Sequence, residues 1–523
     1  MKTLRRAMAE FHTWTGLLLG WLMFAMFTTG TSAYFLHEIT RWMEPEVVDV
    51  ASSPSDAANR AVAYLERNAP QAASWFITLP DERRVRTEVR WRSGERGVPQ
   101  EVRVLDGGGE EVGARETKGG YFLYRFHFDL HFIPALWARF LVGIAAMFML
   151  VSLISGVLTH RAIFTRFFSL SWGKGVTSWF DAHNMTAVFA LPFFLMITYT
   201  GLVTLAYLYM PFGGMANFTD GGYFALAYPR PPTTEAAGEA ASMAEIGAMV
   251  SDAQAIWGGV PPETLDIRHP GDRNAVVHAR RSRAGSIGTR MPTLSFSGVT
   301  GEPVGEVVRP YHGPLQAESV LVGLHAGRFA SVGLRWLYFL SGVLGMAMIG
   351  TGLVQWTARR RRRLASDGRR HVGFWIVERL NVVTIAGLGA GLGGYFLANR
   401  LLPLELPKRA EWEVHSLFIV WAAVGVWALV RPARRAWPET LALASAIYAA
   451  VPVANAFTTD RGLASSLASG DGVFVAFDVM MLLLGGAYGV AALVSSRSAR
   501  SKVSIRARGQ RPAAELPSAA EAS

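Results

Sequence analysis

Residues 12–30 read HTWTGLLLGWLMFAMFTTG, and residues 183–201 read HNMTAVFALPFFLMITYTG. Both stretches begin on a histidine, stay uncharged and close on Thr-Gly, with the glycine 18 residues after the histidine in each. A small residue stands one helical turn beyond each histidine, Gly16 in the first and Ala187 in the second. Uncharged apolar runs of about 20 residues are long enough to cross a bilayer as helices. A soluble protein of 523 residues would be expected to divide into three or four domains, whereas 51% hydrophobic and 17% charged residues indicate a membrane protein.

Similar uncharged stretches lie at 13–36, 140–159, 185–210, 336–358, 380–399 and 440–459. Two more, 412–430 with Glu413 and His415 and 473–496 with Asp478, bring the expected number of spans to eight. The run 13–36 is too long for the apolar core of a secretory signal and lacks a small-residue cleavage site, so it is expected to be retained as the first span.

The net charge of +11 is concentrated in loops and tails: Lys2, Arg5 and Arg6; Arg161, Arg166 and Lys174; Arg359 to Arg363 with Arg369 and Arg370; Arg431, Arg434 and Arg435; and the 497–511 tail. Alternating loops carry these clusters, which by the positive-inside rule puts both termini in the cytoplasm of a bacterial inner membrane. The clusters are read as topology determinants, with no nucleic acid as partner. Zero cysteines exclude disulfides, iron–sulfur clusters, thiolate zinc sites and covalently attached c-type haem. Any metal must rest on the 12 histidines, on carboxylates or on backbone oxygens.

The expected fold class is an α-helical integral membrane protein of about eight transmembrane helices, with two small periplasmic α+β domains inserted in a duplicated helix–domain–helix unit. The boundaries are 1–43 for the first span, 44–125 for the first outer domain, 126–162 for the second span, and 163–211 for a cytoplasmic loop and the third. The second outer domain takes 212–325, the fourth span 326–358, a basic loop 359–379, four further spans 380–496, and a disordered tail 497–523. In the first outer domain, 56–68 patterns as a helix, and 74–78, 84–92 and 99–105 as strands, with a turn at 106–109. In the second, 243–256 patterns as a helix, and 264–268, 274–280 and 293–296 as strands, with a turn at 298–301 closing the last hairpin. The order is helix and then three strands in both, which supports a duplication.

Spans two and four match more loosely. Leu130-His131 precedes Arg139 and a span ending Ser155-Gly156, whereas Leu324-His325 precedes Arg335 and a span ending Thr351-Gly352. His12 and His183 fall at the inner ends of their helices, His131 and His325 near the outer ends. A facing pair at each side of a four-helix arrangement is the axial ligation of a b-type haem, so two haem b groups are expected. Arg139 and Arg335, or Arg328 in place of the latter, are the candidate partners for haem propionates. His160 and His37 are alternate ligands at the inner and outer faces. His127, one turn from His131, is a third alternate, as a ligand or as a supporting partner. A single interfacial histidine is more often merely polar; the repeated placement of four favours ligation. His269, His278 and His312 are read as surface residues of the second domain.

The pattern resembles the PepSY-associated transmembrane proteins, the iron-regulated membrane proteins of bacteria, over nearly the first 360 residues. The residues that carry the resemblance are His12-Thr-Trp-Thr-Gly with Thr29-Gly30, Leu130-His131, Asp181-Ala-His183 with Thr200-Gly201, and Leu324-His325-Ala-Gly-Arg-Phe; Trp412-Glu-Val-His415 is similar to longer members. Met185, in place of a glycine-containing start of the third span, and Pro134 in the second depart from the family pattern. The resemblance implies periplasmic PepSY domains and, for some members, haem-dependent reduction of ferric siderophores.

Gly389-Ala-Gly-Leu-Gly-Gly394 satisfies G-x-G-x-x-G but sits inside an apolar span without a preceding strand. It is therefore read as a packing stripe and not as a dinucleotide site. Electrons must then come from a separate cytoplasmic reductase, a diffusible reduced flavin or quinol. Asp478, inside a span, is either a proton or quinol site or a structural partner of Asn455. The expected function is ferric iron or ferric-siderophore reduction. Two other classes stay open: a transporter for an iron chelate or metal through the duplicated bundle, and a regulator whose outer domains restrain a periplasmic protein.

Overall fold

The computed structural model describes residues 2–48, 52–93, 100–159, 170–171, 173–218, 222, 231, 234–307, 313–364 and 371–508. The chain divides into two units, Met1–Ser366 with Leu404–Ala410, and Asp367–Pro403 with Glu411–Ser523. Among the described residues seven helices are long and apolar enough to cross a membrane, or eight if a bent pair counts as one. His160 and His312, and the arginines at 161, 166, 369 and 370, lie outside the described residues.

In the first unit the spans are α1 (Lys2–Ala33), α5 (Ala135–Thr159), the bent pair α6 (Val176–Phe189) and α7 (Leu191–Thr204), and α12 (Val332–Leu364). Short helices α2 (Leu36–Met43), α4 (Gly119–Asp129), α8 (Ala206–Tyr209), α9 (Phe212–Asn217) and α11 (Pro314–Ala326) flank them. The third span, expected as one continuous run, bends by 69° at Ala190. Pro192, in the first turn of α7, has no N–H to continue the α6 ladder across the break. The threonines of α1 do not interrupt it: Thr15, Thr28 and Thr29 each donate to the carbonyl four residues back, which satisfies the hydroxyl within an apolar helix. Outward-facing Leu136, Trp137, Leu141 and Ile144 of α5 are exposed, as expected of a surface that meets lipid chains.

The two outer segments do not form two separate domains. α3 (Pro54–Asn68), β1 (Ser74–Thr78), β2 (Thr87–Arg92) and β3 (Glu101–Leu105) come from the first. α10 (Ile246–Ile256), β4 (Pro262–Arg268), β5 (Val276–Arg281), β6 (Thr293–Ser297) and β7 (Pro303–Val307) come from the second. The seven strands make one antiparallel sheet in the order β3-β2-β1-β4-β5-β6-β7. The join is β1 against β4, with Ile77 opposite Leu265. Period-two alternation turns Trp75, Ile77, Val89, Leu265, Ile267, Val277, Ala279, Leu294 and Phe296 to one face. On that face they meet Ala58, Ala61 and Leu65 of α3 and Ile246, Val250 and Ala253 of α10 in a single core. The expected strands are present, with β7 as an additional fourth in the second segment, following the turn at 298–301.

One end of this sheet is fastened to the helices. Arg83, just before β2, donates to both Glu38 oxygens and to the carbonyl of Tyr34. The N–H groups of Thr289 and Arg290 donate to Ser319 Oγ on α11.

The second unit holds α13 (Val372–Asn381), a π-helical turn (Val382–Gly387), α14 (Leu388–Leu401), α15 (Arg409–Val430), α16 (Ala433–Thr458), α17 (Leu463–Ser469) and α18 (Gly472–Arg508). The tail expected to be disordered from 497 is helical to Arg508. Trp421 Nε1 donates to the Val383 carbonyl inside the π turn, where the regular ladder is interrupted. The glycine stripe packs helices. A Cβ at Gly391 would stand 2.9 Å from the Leu417 carbonyl oxygen, and one at Gly393 would stand 2.8 Å from Ile447. Asp478 accepts from Asn455 Nδ2 at 3.0 Å, Arg400 donates to Asn455 Oδ1 at 2.8 Å, and Asn399 donates to Glu413 at 2.7 Å, all buried.

Candidate functional site

Four histidines of the first unit stand in one repeated setting. His12 on α1 places Nδ1 2.9 Å from the Ser152 carbonyl of α5, and His183 on α6 places Nδ1 2.7 Å from the Met348 carbonyl of α12. His127 on α4 reaches the Met26 carbonyl of α1 at 2.7 Å, and His325 on α11 reaches the Ile197 carbonyl of α7 at 3.0 Å. A carbonyl can only accept, so Nδ1 carries the proton in each ring and Nε2 keeps its lone pair. That is the tautomer in which a backbone oxygen orients an imidazole for a metal.

Three residues beyond each accepting carbonyl is a serine or threonine, and four beyond is a glycine. The hydroxyls of Ser155, Thr351, Thr29 and Thr200 donate to the carbonyls that the histidines use. The glycines are the seats of the rings. A Cβ would stand 2.7 Å from His127 Nδ1 at Gly30, 2.9 Å from His325 at Gly201, 3.1 Å from His183 at Gly352 and 3.5 Å from His12 at Gly156. The Ser/Thr-Gly pairs seen in the sequence thus serve a histidine from a neighbouring helix.

The rings meet in two pairs. His12 and His183 have centroids 6.2 Å apart, and His127 and His325 have centroids 6.1 Å apart. Two imidazoles that bind one metal through Nε2, each about 2 Å from it, have centroids about 6 Å apart. The spacing of both pairs fits two imidazoles that would share one metal. On the continuous helix α1, His12 and the seat of His127 at Gly30 are 18 residues apart, roughly 27 Å at helical rise. The two pairs are therefore separated by about the thickness of a bilayer's hydrocarbon core. Among the described residues no group of three or more His, Asp and Glu is arranged to hold a metal ion, so these sites are pairs.

His131, the residue expected opposite His325, is not there; His127 is. Leu130 and His131 both adopt positive φ, 52° and 57°, which ends α4 and turns the His131 ring out against Phe122 and Phe132. The Leu-His dipeptide matched in sequence, but its helical phase did not. His131 instead lines a cavity of about 230 Å³ with Phe122, Arg125, Phe126, Asp129, Ile133 and Ala135.

Arg139 pairs with Asp129 at 2.8 Å, and Arg335 pairs with Glu38. Burial works to raise the Glu38 carboxyl, but the Arg83 and Arg335 guanidinium groups beside it hold it below the usual carboxylate range. Neither Glu38 nor Asp129 was singled out in the sequence, since a lone carboxylate near a span end carries no pattern. His37 is half-buried, and burial followed by Arg83 and Arg84 pushes it down to about 3. His278, expected at the surface, is buried between β4 and β6 with Nδ1 2.9 Å from Ser295 Oγ. Its position on the sheet face away from α3 and α10 could be read only with the register in hand. His269 meets the Thr234 carbonyl at 3.0 Å from a turn with φ of 50°.

A family model described as the PepSY-associated TM region matches residues 9–359, a stretch that encloses all four histidines and all four glycine seats. Among curated proteins none matches. With a family model spanning its four histidine-bearing helical segments and the sheet between them, this membrane protein belongs to the PepSY-associated TM family.

Proposed function

We propose that the protein is a transmembrane haem b electron-transfer protein that delivers electrons to ferric iron, as a ferric siderophore or another Fe(III) chelate, on the side of the sheet domain. The observation that supports this most is the fourfold recurrence of a histidine whose Nδ1 is tied to a carbonyl over a glycine, gathered as two pairs 6.1 and 6.2 Å apart. His12 and His183 would hold one haem, and His127 and His325 the other. Bound haem supplies reversible one-electron chemistry.

The chain's own contribution is positional. The accepting carbonyls of Ser152, Met348, Met26 and Ile197 fix the tautomer and rotation of each ring, so that no side chain must reorganise when a ligand charge changes. Glycine seats let the rings approach the neighbouring helices more closely than any other residue would allow at three of the four positions. Arg335 shares Glu38 with Arg83, and Arg139 shares Asp129 with Arg125, so each group keeps a net positive charge at the end where His127 and His325 lie. Lower charge on Fe(II) weakens its hold on oxygen donors, so reduction would release iron from a chelate.

The symmetric strand order about β1–β4 and the recurring histidine settings support an internal duplication with two units of like orientation. With the basic clusters assigned to the cytoplasm, the sheet lies in the periplasm of an inner membrane, and the electron donor is a cytoplasmic reductant or quinol.

The test is the absorption spectrum of the purified protein with and without dithionite. A Soret band that shifts on reduction is expected. His12→Ala and His183→Ala should remove one and the same haem, and His127→Ala and His325→Ala the other, while His131→Ala keeps both. Absence of haem in protein purified from haem-replete cells overturns the proposal.

A further inference from the structure

The sheet end that faces the helices carries more positive charge than its neighbours neutralise. Arg84 before β2, Arg280 near the end of β5 and Arg328 in the loop after α11 all act electrostatically on Arg283, which follows β5. Burial first, and then Arg328 beside it, push Arg283 down to about 10, with Glu263 opposing and Arg280 and Arg84 adding to the shift. The carboxylates among them are Glu263 and Asp81. Asp81 is taken by Arg84 at 2.7 Å and by the backbone N–H groups of Arg83 and Arg84. Glu263 lies 3.4 Å from Arg84 and 3.9 Å from Arg283 Nε, with no hydrogen bond to its buried Oε2. Arg84 thus holds Asp81 and shares Glu263 with Arg283, and Glu263 is left without a hydrogen bond to Arg283. The buried Nε groups of Arg280 and Arg283 have no hydrogen-bond partner. A buried donor left unmade is costly, and a guanidinium satisfies it best with a planar, bidentate oxyanion.

The loop that follows β5 packs on α11, where the N–H groups of Thr289 and Arg290 donate to Ser319 Oγ, and this brings Arg283 to the helix that carries His325. Arg328 follows His325 by three residues, and its guanidinium lies 5.8 Å from the ring centroid of Tyr124, one turn before His127 on α4.

We infer that Arg280, Arg283 and Arg328 form a binding site for a ligand carrying carboxylates, placed beside the His127–His325 pair. Two sources have that chemistry: the carboxylates of a ferric chelate, and the propionates of a haem held by the pair. The site stands on the arginines; only its use in iron reduction rests on the proposed function. If a chelate is the occupant, the substrate class narrows to anionic, carboxylate-bearing Fe(III) complexes.

The experiment titrates the full-length protein in detergent with gallium(III) citrate, a redox-inert carboxylate chelate of a trivalent ion, by calorimetry, and measures haem content in parallel. Chelate occupancy predicts salt-sensitive binding that Arg280→Gln and Arg283→Gln each weaken roughly tenfold or more. Arg283→Lys, which keeps charge but loses the fork, should lie between, with haem content unchanged. Propionate occupancy predicts no citrate binding but loss of one of the two haems in the glutamine variants. Citrate binding lost in the variants of a protein without any haem would support this site and sink the haem reading. Glutamine variants that melt like the parent, with citrate binding and haem content both unmoved, overturn the inference.

Discussion

Replacing Gly30 with alanine would set a methyl carbon 2.7 Å from His127 Nδ1, where ordinary contact begins near 3.4 Å. The ring would have to retreat by about 0.7 Å, and the 2.7 Å bond to the Met26 carbonyl would break or bend. Overpacking of this kind costs about 1–3 kcal/mol. The lost hydrogen bond adds roughly 0.5–1.5 kcal/mol, while exchanging glycine for alanine inside a helix returns up to about 1 kcal/mol. The net cost is about 0.5–3.5 kcal/mol, or roughly 2- to 400-fold in affinity for whatever the histidine pair holds. Gly156 differs, because a Cβ there meets His12 at an ordinary 3.5 Å, leaving only the helix gain. Gly30→Ala and Gly201→Ala should therefore lose most haem, Gly352→Ala less, and Gly156→Ala none. Pyridine haemochromogen content per protein, with thermal unfolding alongside, measures the series. A Gly156→Ala variant as damaged as Gly30→Ala, or a Gly30→Ala variant that matches the parent, would refute the assignment of these glycines as seats.

Other outcomes follow from the same geometry. Glu38→Gln should lower thermal stability by about 1–3 kcal/mol, because Arg83 and Arg335 lose their shared carboxylate, and Glu38→Asp should restore part of it. In the parent, the depressed Glu38 carboxyl contributes stability present above the ordinary carboxylate range and lost as pH falls through its lowered value; a flat acid profile counts against the pairing. His37, pushed down to about 3, stays neutral when the unfolded chain's histidine charges. Stability should thus fall as pH drops below about 6.5, by at most about 1.4 kcal/mol per unit. His37→Gln should flatten that slope in a pH series of melting temperatures. In the second unit, Asp478→Ala should cost about 1–3 kcal/mol by leaving one Asn455 Nδ2 hydrogen unpaired while the other stays on the Arg461 carbonyl, and Asp478→Asn should cost less. Equal melting temperatures for both would show that the contact contributes nothing.

The spans and most strands were legible in the sequence because each is a local pattern: an uncharged run or an alternation. The glycine after Thr29 or Thr200 was visible as a recurrence, but its purpose was not, since the ring it seats comes from another helix. His131 drew attention through the Leu-His dipeptide it shares with His325, yet two consecutive left-handed residues end α4 before it. Helical phase, not dipeptide identity, decides which ring faces inward, and that phase favours His127. Two separate outer domains were the natural expectation from two matching segments. Pairing of β1 with β4 is a contact between edges far apart in sequence, and no local pattern announces it. Of the two readings of Asp478, the contact with Asn455 is present, because both stand as polar residues in apolar helices, where a partner is needed.

The β1–β4 junction also sets an order of events during biogenesis. Its partners lie roughly 190 residues apart, and the third span is synthesised between them. A nascent chain that has delivered only its first outer segment carries β1 with an open edge, a template for wrong pairing, and a hydrophobic helix face without the other half of its core. The sheet cannot close until the second strand-bearing segment has reached the same side of the membrane. Closure of the sheet therefore depends on correct insertion of the third span. A chain stalled or inverted at that span keeps an unclosed strand edge.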